Sequence, residues 1–225
     1  MTSLFDDFDG QLLRVVSTTQ DASLVEDLLP LCSATGRKDA LKSVVKANSD
    51  KLSTLISTYC VEHNDLTPTD ITMFLHMAVV ACNHPTVKIL APLSAPDFDL
   101  IKISLLTKNV DASHILTDAF GFDSECFTLA AQTGWDSVLA QMLPKSNPQD
   151  HGEALYQAVR CNHQRCVDLL YDATDADDAK IVVQRLKENF PHYTTQIWDD
   201  FKARVARDVL QDSIGDVGSL RTRKM

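Results

Sequence analysis

The sequence predicts an all-α protein, an α-solenoid of about seven stacked helical hairpins. Three segments that begin at Leu75, Phe127 and Leu155 share one pattern. In each segment an apolar residue is followed three positions later by alanine, then by a turn with Asn or Gly, then by a second apolar stripe. Apolar residues spaced three and four apart form one face of a helix. Because a single hairpin buries only one face, such hairpins must stack on neighbours.

The spacing of these segments predicts where the other hairpins lie. Together with a weaker copy at Ile101, the starting positions are separated by 26, 26 and 28 residues. The same step predicts a further helix at Ile181 and earlier helices at Leu41 and Leu13. The gap after Leu41 is longer, so we expect an insertion near residues 63–70.

Turns and connections separate the predicted helices. Asn83, Gly134 and Asn162 stand in the turns inside the three strong copies. Both residue types tolerate the left-handed backbone that ends a helix. A last helix is predicted from about Thr194 to about Gln211, where it would cap the stack. Connections between hairpins, marked by proline, glycine or aspartate, are predicted at residues 91–99, 117–125, 144–152 and 172–178.

The predicted domain organisation has three parts. We expect a flexible N-terminus over residues 1–10, one helical repeat domain over residues 11–212 and a mobile tail over residues 213–225. The tail carries two glycines and no sustained apolar period, a pattern that is typical of mobile chain ends.

The strong copies resemble the helical part of ankyrin repeats. Leu75-His-Met-Ala is similar to that family's Leu-His-x-Ala element, and the segment from Phe127 to Gly134 is similar to its Leu-x-x-Ala-Ala-x-x-Gly element. The family repeat has about 33 residues, so the steps here are short. The helix-opening Thr-Pro is missing from the strong copies, since Thr67-Pro68 comes too early, and no Asp-Gly hairpin tip is present. We therefore expect ankyrin-like helical pairs with little or no β-hairpin.

The resemblance implies a protein-interaction scaffold and not an enzyme. It also implies that His76 is structural, with a hydrogen bond to backbone between repeats. Other α-solenoid repeats also stack helix pairs. Among them the 34-residue tetratricopeptide pattern fits worse, because the step here is shorter and its Trp/Tyr signature is absent.

Composition and charge exclude several classes of partner. The chain has 21 basic and 31 acidic residues and a formal net charge of −10, which argues against nucleic acid and against an anionic membrane surface. No apolar run is long enough to span a bilayer, and the acidic start does not resemble a secretion signal. Six widely spaced cysteines are expected to be reduced. We therefore expect a cytoplasmic protein, or one delivered into a host cytosol.

Candidate metal and catalytic sites have simpler structural interpretations. The stretches Cys82-Asn-His84 and Cys161-Asn-His163 resemble half-sites for zinc, but 79 residues separate them, which is about three repeats. A Cys161–His163 nucleophile would need an orienting group and an oxyanion hole that the turn does not supply. The acidic run Asp172–Asp178 lacks the glycine and glutamate of a calcium loop, so we expect it to cap a helix. No metal and no cofactor is expected.

Aromatic residues between hairpins are the candidates for a binding site. The aromatic members are predicted in connections or at the start of a second helix, where partner surfaces favour such anchors. For each of them, packing back onto the core is the alternative. Neighbouring carboxylates at Asp97, Asp118 and Glu125 predict a partner protein with a basic patch. The predicted binding residues are Phe98, Asp99, Phe120, Phe122, Asp123 and Trp135.

The sequence therefore favours a non-catalytic protein–protein interaction scaffold or adaptor. A pathogen effector that acts on a host protein is one setting in which such divergent arrays occur. Two alternatives stay open. One is a divergent hydrolase or transferase on a helical scaffold, and the other is a self-assembling helical module with the Trp198 helix at its interface.

Overall fold

All regular secondary structure in the described part of the chain is helical. The computed structural model describes the backbone of residues 4–19, 21–192 and 194–222, and the side chains of residues 7–19, 21–192 and 194–211. Within these ranges there are fourteen α-helices and no strand, which confirms the all-α prediction. No helix in the same ranges has the length and apolar character needed to cross a membrane. The contacts divide the chain into two compact units, Met1–Phe122 and Asp123–Met225, which we call unit 1 and unit 2.

Unit 1 consists of four consecutive helix pairs. In each pair the first helix packs on the second, and each first helix also contacts the first helix of the next pair. The second helices also contact one another in order along the chain, which is consistent with stacking of the pairs. The helices are α1 Leu4–Thr18, α2 Ala22–Leu28, α3 Ala34–Ala47, α4 Asp50–Glu62, α5 Pro68–Val80, α6 His84–Leu90, α7 Phe98–Leu106 and α8 Val110–Phe120.

Unit 2 consists of three further pairs. The first helices again contact one another in order, and the last helix packs on the first helix of its own pair and on that of the preceding pair, with Trp198 and Phe201 buried. The helices are α9 Ser124–Thr133, α10 Asp136–Met142, α11 Pro148–Arg160, α12 Gln164–Ala173, α13 Ala176–Asn189 and α14 Gln196–Thr222.

The turn inside each central pair keeps the predicted repeat step. A residue with a left-handed backbone stands at Cys82, Lys108, Gly134 and Asn162, with φ of 55°, 63°, 81° and 65°. These positions are separated by 26, 26 and 28 residues, as the sequence predicts. The prediction for Asn83 is wrong by one position: its φ is −87°, and its side chain caps α6 by accepting a bond from the Thr86 N–H.

Helix boundaries differ from the predictions where caps decide them. Thr67-Pro68 opens α5 after all, because Thr67 and Asp70 form a capping box and Pro68 takes the first helical position. The predicted connections at 117–125 and 144–152 are shorter than expected, because α8 continues to Phe120 and α11 begins at Pro148.

The two ends of the chain are helical for longer than expected. α1 begins at Leu4, within the predicted flexible segment, and Asp9 holds it to α3 by accepting a 2.8 Å bond from the Ser33 N–H. α14 extends past the predicted end at Gln211 to Thr222. The remainder of the predicted N-terminus and tail, residues 1–3 and 223–225, lies outside the described residues.

A proline turn recurs in the first, third and fifth pairs. After α2, α6 and α10, each of seven residues, the chain makes one turn of 3₁₀-helix with proline at its second position. Proline has no N–H to donate and so ends the preceding α-helix at this point. The three turns are Leu29–Leu31, Ala91–Leu93 and Leu143–Lys145.

Candidate functional site

The predicted aromatic residues of unit 1 lie at helix ends. Phe98 is the first residue of α7 and Phe120 is the last residue of α8, so neither is in a loop as predicted; Phe122 follows α8 in the short loop. The reason is local capping, since Asp97 accepts bonds that start α7, and Gly121, with a φ of 75°, ends α8. All three aromatic side chains are half-buried.

The predicted acidic residues divide into caps and surface groups. Asp97 and Asp123 are helix N-caps, and the Asp123 carboxylate accepts a 2.7 Å bond from the Cys126 N–H. Asp99 is exposed and lies 3.4 Å from the Lys102 ammonium. Trp135 occupies the N-cap position of α10 in unit 2 and is half-buried. The six predicted residues therefore divide between the units, four in unit 1 and two in unit 2.

The histidines that the sequence singled out are engaged in hydrogen bonds between helix pairs. His76 Nε2 lies 3.0 Å from the Asp97 carboxylate, so it bonds a side chain and not backbone as the resemblance implied. His84 Nε2 lies 2.8 Å from the Asn109 amide oxygen, and His163 Nε2 lies 3.0 Å from the Gln132 carbonyl oxygen. Each histidine thus links neighbouring helix pairs, and His84 does so with both ring nitrogens, since its Nδ1 lies 3.5 Å from the Asp111 carboxylate.

The candidate metal ligands and the cysteines all lie within the described residues. No group of three or more His, Cys, Asp or Glu side chains within them is placed to hold a metal ion. All six cysteines are free, and burial raises the pKa of the Cys166 thiol to about 12. The acidic run before α13 does cap that helix, because Asp175 accepts a 2.8 Å bond from the Asp177 N–H.

A surface that the sequence interpretation missed lies on the first helices of unit 1. We call the exposed sides of α3, α5 and α7 the unit 1 outer face. Three of its apolar side chains are well exposed: Val80 is 69% accessible, Leu106 is 63% and Met73 is 44%. Val80 and Leu106 are the last residues of α5 and α7, one repeat step of 26 residues apart. They therefore occupy equivalent positions on adjacent helices.

An open groove of about 400 Å³ lies on this face. The last turn of α3 contributes Lys46, the second half of α5 contributes His76, Met77 and Val80, and Ala81 follows directly after α5. The exposed lining is mostly apolar, and Lys46 places an ammonium group at the rim, while His76 Nε2 contacts the Asp97 carboxylate. The groove can thus take aliphatic groups beside a negative charge.

Three lysines continue this surface along α3. Lys38, Lys42 and Lys46 are four residues apart and so lie along one side of the helix. The Lys38 ammonium bonds the Asp70 carboxylate at 2.9 Å, which, with Thr67, lowers the pKa of Asp70 to about 2. Lys42 and Lys46 are exposed and form no ion pair with the described residues.

Buried polar bonds hold the helices behind this face in place. The Asn109 amide donates to the Val79 carbonyl oxygen at 2.9 Å, and the Asn83 amide donates to the Ser53 hydroxyl at 2.8 Å. Asn83 and Ser53 are fully buried and Asn109 nearly so. Satisfied polar groups in an apolar interior favour one arrangement of the helices, because any shift would leave them unpaired.

A smaller cavity lies inside unit 2. Its volume is about 250 Å³, and Tyr171, Val205 and Asp208 are among its lining residues. The Tyr171 hydroxyl donates to Asp208 at 2.5 Å, and burial together with Asp208 raises the pKa of Tyr171 to about 12. The Arg204 guanidinium covers the same ring at 3.9 Å. The polar groups here contact one another, so we interpret the cavity as a gap between packed helices and not as a binding site.

Comparisons with known proteins find no matching family model, no matching curated protein and no matching solved structure. The geometry of the described residues is therefore the basis on which a function can be argued.

Proposed function

We propose that this chain is a non-catalytic protein-interaction scaffold and that the unit 1 outer face is its binding surface. The observation that carries the proposal is the exposure of Met73, Val80 and Leu106 on two adjacent, firmly held helices. Single exposed apolar residues are normal on any protein surface, but a cluster of them beside an apolar groove is typical of an interaction site.

The form of the surface favours a protein over a small substrate. The groove is open and continues onto the exposed sides of α5 and α7, whereas sites for small substrates usually enclose them. Methionine side chains, such as Met73 and Met77 here, are enriched at partner surfaces because they adapt their shape. An ankyrin-like solenoid architecture and a cytoplasmic location also belong to this proposal and come from the sequence. The acidic aromatic edge that the sequence predicts is the competing binding surface.

Affinity capture from cell lysate with the full chain as bait tests the proposal. The disrupting variant is Val80→Asp with Leu106→Asp, which places two charges on the outer face. The matched control is Ile181→Asp, which puts a charge on an apolar side chain that is 52% exposed on α13 of unit 2. We expect a partner that wild type and the Ile181 variant retain and the double variant loses.

A second variant distinguishes the outer face from the predicted aromatic edge. Replacement of Phe98, Phe120 and Phe122 by alanine tests that edge, with far-UV circular dichroism as the check that the chain is folded. If the partner is lost in this variant and retained by the Val80/Leu106 variant, the outer-face proposal is wrong. If no variant changes capture, or if wild type captures nothing and instead associates with itself in light scattering, the scaffold proposal fails as well.

A further inference from the structure

We infer that the partner segment that docks on the unit 1 outer face is an acidic amphipathic helix, whose aliphatic side chains enter the α3–α5 groove and whose carboxylates contact Lys42 and Lys46. This inference rests on the proposed function and adds the chemistry of the partner. It differs from the sequence-based prediction, in which carboxylates near Phe98 and Phe120 indicated a partner with a basic patch.

The apolar part of the inference comes from the groove. Its exposed surface is supplied mainly by Met77, Val80 and Ala81, and it has room for a few aliphatic side chains. The exposed neighbours Met73 and Leu106 extend the apolar strip along α5 and across to α7. A helix that presents aliphatic residues at every third or fourth position fits such a strip, as in other helix-in-groove complexes.

The charged part of the inference comes from the lysines. The protein as a whole carries a net charge of −10, yet α3 presents Lys46 at the groove and Lys42 one turn before it, and neither has an ion-pair partner among the described residues. Asp39 is the one acidic side chain on the exposed side of α3. Charges on the rest of the surface are screened beyond about 8 Å at physiological salt. On one side of the groove the Asp97 carboxylate contacts His76 of the lining. On the α3 side the lysines supply positive charge, so this side favours the carboxylates of a partner.

A helical partner is favoured over an extended peptide. Extended peptides gain most of their affinity from backbone bonds to an exposed strand edge, and the described residues contain no strand. A helix satisfies its own backbone and needs only side-chain contacts. Two unpaired lysines are also too few for nucleic acid, whose binding requires many phosphate contacts.

The probe for this inference is a displayed library of random peptides of about 15 residues, a length at which isolated helices are marginal and binding can stabilise them. Wild-type full-length chain is immobilised, and the selected peptides are then synthesised for measurement of Kd. We expect selected peptides to combine Asp or Glu with Leu, Ile, Met or Phe at helical spacing. Their affinity should fall as salt is raised.

Charge-matched variants separate the two lysines from the overall charge. Lys42→Glu with Lys46→Glu changes the net charge by the same amount as Lys51→Glu with Lys88→Glu, and all four lysines are exposed. We expect the first pair to weaken the peptide Kd by about tenfold or more, a loss on the scale of close charge pairs at interfaces. The second pair should change it by less than about twofold. Val80→Asp should abolish binding.

Three results would overturn the inference. They are selection of basic peptides, equal effects of the two lysine pairs, and no enrichment of any peptide. Its failure is separable from failure of the proposed function. If lysate capture depends on Val80 and Leu106 while the two lysine pairs change the peptide Kd equally, the proposed scaffold function is retained and the acidic partner is rejected.

Discussion

The two units are built from the same helix pair but present different outer faces. In unit 1 the exposed side of α5 carries Met73 and Val80, and α7 ends in Leu106. In unit 2 the corresponding sides of α9 and α11 carry mainly polar residues, among them Glu125 and Arg160. In both units the turn inside a helix pair has a residue with a left-handed backbone at the equivalent position. The repeat pattern therefore determines which positions are buried, whereas the exposed residues of the first helices differ between the units.

The units also differ in where neighbouring pairs are tied together. In unit 1 the Arg37 guanidinium makes two bonds to the Asp65 carboxylate and is buried, with side chains 13% and 5% exposed. In unit 2 the link between α11 and α13 is the Arg185–Glu153 pair, 40% and 42% exposed. Unit 2 thus uses side chains on its exterior for internal links. Unit 1 has this shielded link in addition to the partly exposed Lys38–Asp70 pair between α3 and α5, and the ends of α5 and α7 at Val80 and Leu106 stay exposed.

The largest effect is expected from Arg37→Ala. It leaves the Asp65 carboxylate, which is 5% exposed, without its cation and removes the guanidinium donor of the Leu29 and Cys32 carbonyl oxygens, of which Leu29 keeps the bond from the Cys32 N–H. We expect a loss of about 3–5 kcal/mol in the free energy of unfolding, the range for a broken buried pair.

The matched change in unit 2 is Arg185→Ala, which should cost less than about 1 kcal/mol because that pair is exposed to solvent. Urea unfolding followed by circular dichroism measures the Arg37 variant. Tryptophan fluorescence measures the Arg185 variant, since Trp135 and Trp198 both lie in unit 2. Equal losses of unfolding free energy in the two variants would show that the shielded Arg37–Asp65 pair and the exposed Arg185–Glu153 pair contribute alike, and the contrast between the units would fail.

The next largest effect is expected from Gly134→Ala in unit 2. Gly134 has a φ of 81°, and an added Cβ would lie 2.5 Å from Nδ1 of His163. A left-handed alanine costs about 1–2 kcal/mol, and displacement of His163 would lose its bond to Gln132 for about 1 kcal/mol more. We expect a total loss of about 2–3 kcal/mol by fluorescence-detected urea unfolding.

Gly10→Ala is the control for this turn. Gly10 lies within α1 with no atom within 4 Å of an added Cβ, so alanine should raise stability by about 0.5–1 kcal/mol. A Gly134 variant as stable as wild type would show that neither the backbone nor His163 requires glycine there.

A smaller effect is expected at acid pH from Asp70, which links α5 to α3. Its pKa in the folded chain is about 2, below the unfolded value of about 3.9. A lowered pKa adds stability above the unfolded value, and this stability disappears as the pH falls from about 4 through 2. Asp70→Asn should therefore lose stability at neutral pH and show a shallower acid decline.

The comparison in unit 2 is Asp177→Asn. The Asp177–Lys180 pair also lowers the pKa of the carboxyl but lies within α13 on the exposed surface. Because solvent screens this pair, its loss should change the acid profile less than the Asp70 change does. Thermal unfolding monitored from about pH 2 to 7 compares them, and a larger effect at Asp177 would contradict the assigned roles.

The smallest effect on stability is expected from Val80→Asp with Leu106→Asp. Both side chains are mostly exposed, and surface substitutions of this kind usually change the free energy of unfolding by about 0.5 kcal/mol or less. The same variant should be more soluble than wild type. A loss comparable to that of Arg37→Ala would mean that the outer face is structural, and the contrast between the units would fail.

The sequence predicts the helices and their step better than their ends. Apolar stripes three and four apart mark the first helices of the central pairs, and the 26-residue step agrees with the left-handed turns. At Asn83 the prediction fails by one residue because asparagine suits both a left-handed turn and an N-cap, and here capping of Thr86 prevails. Phe98 and Phe120 are placed in helices for a similar reason, since the caps around them set the boundaries.

The outer face is harder to predict because α5 is apolar on most of its circumference. From Met73 to Val80 nearly every residue is apolar, so periodicity alone does not tell which side faces the neighbouring helices. Phe74 and Val79 are buried while Met73 and Val80 are exposed. That choice depends on contacts with α3 and α7, which are distant in sequence.

Hydroxyl-radical footprinting of the free and bound chain tests the central claim most directly, with a selected peptide or a captured partner as ligand. Met73 and Met77 report on the unit 1 outer face, and Trp135 reports on the part of the predicted aromatic edge that lies in unit 2. Sulfur and indole side chains are both readily oxidised, so one experiment reads both surfaces. We predict that binding protects Met73 and Met77 and leaves Trp135 unchanged. Protection of Trp135 with unchanged oxidation of Met73 and Met77 would contradict the account.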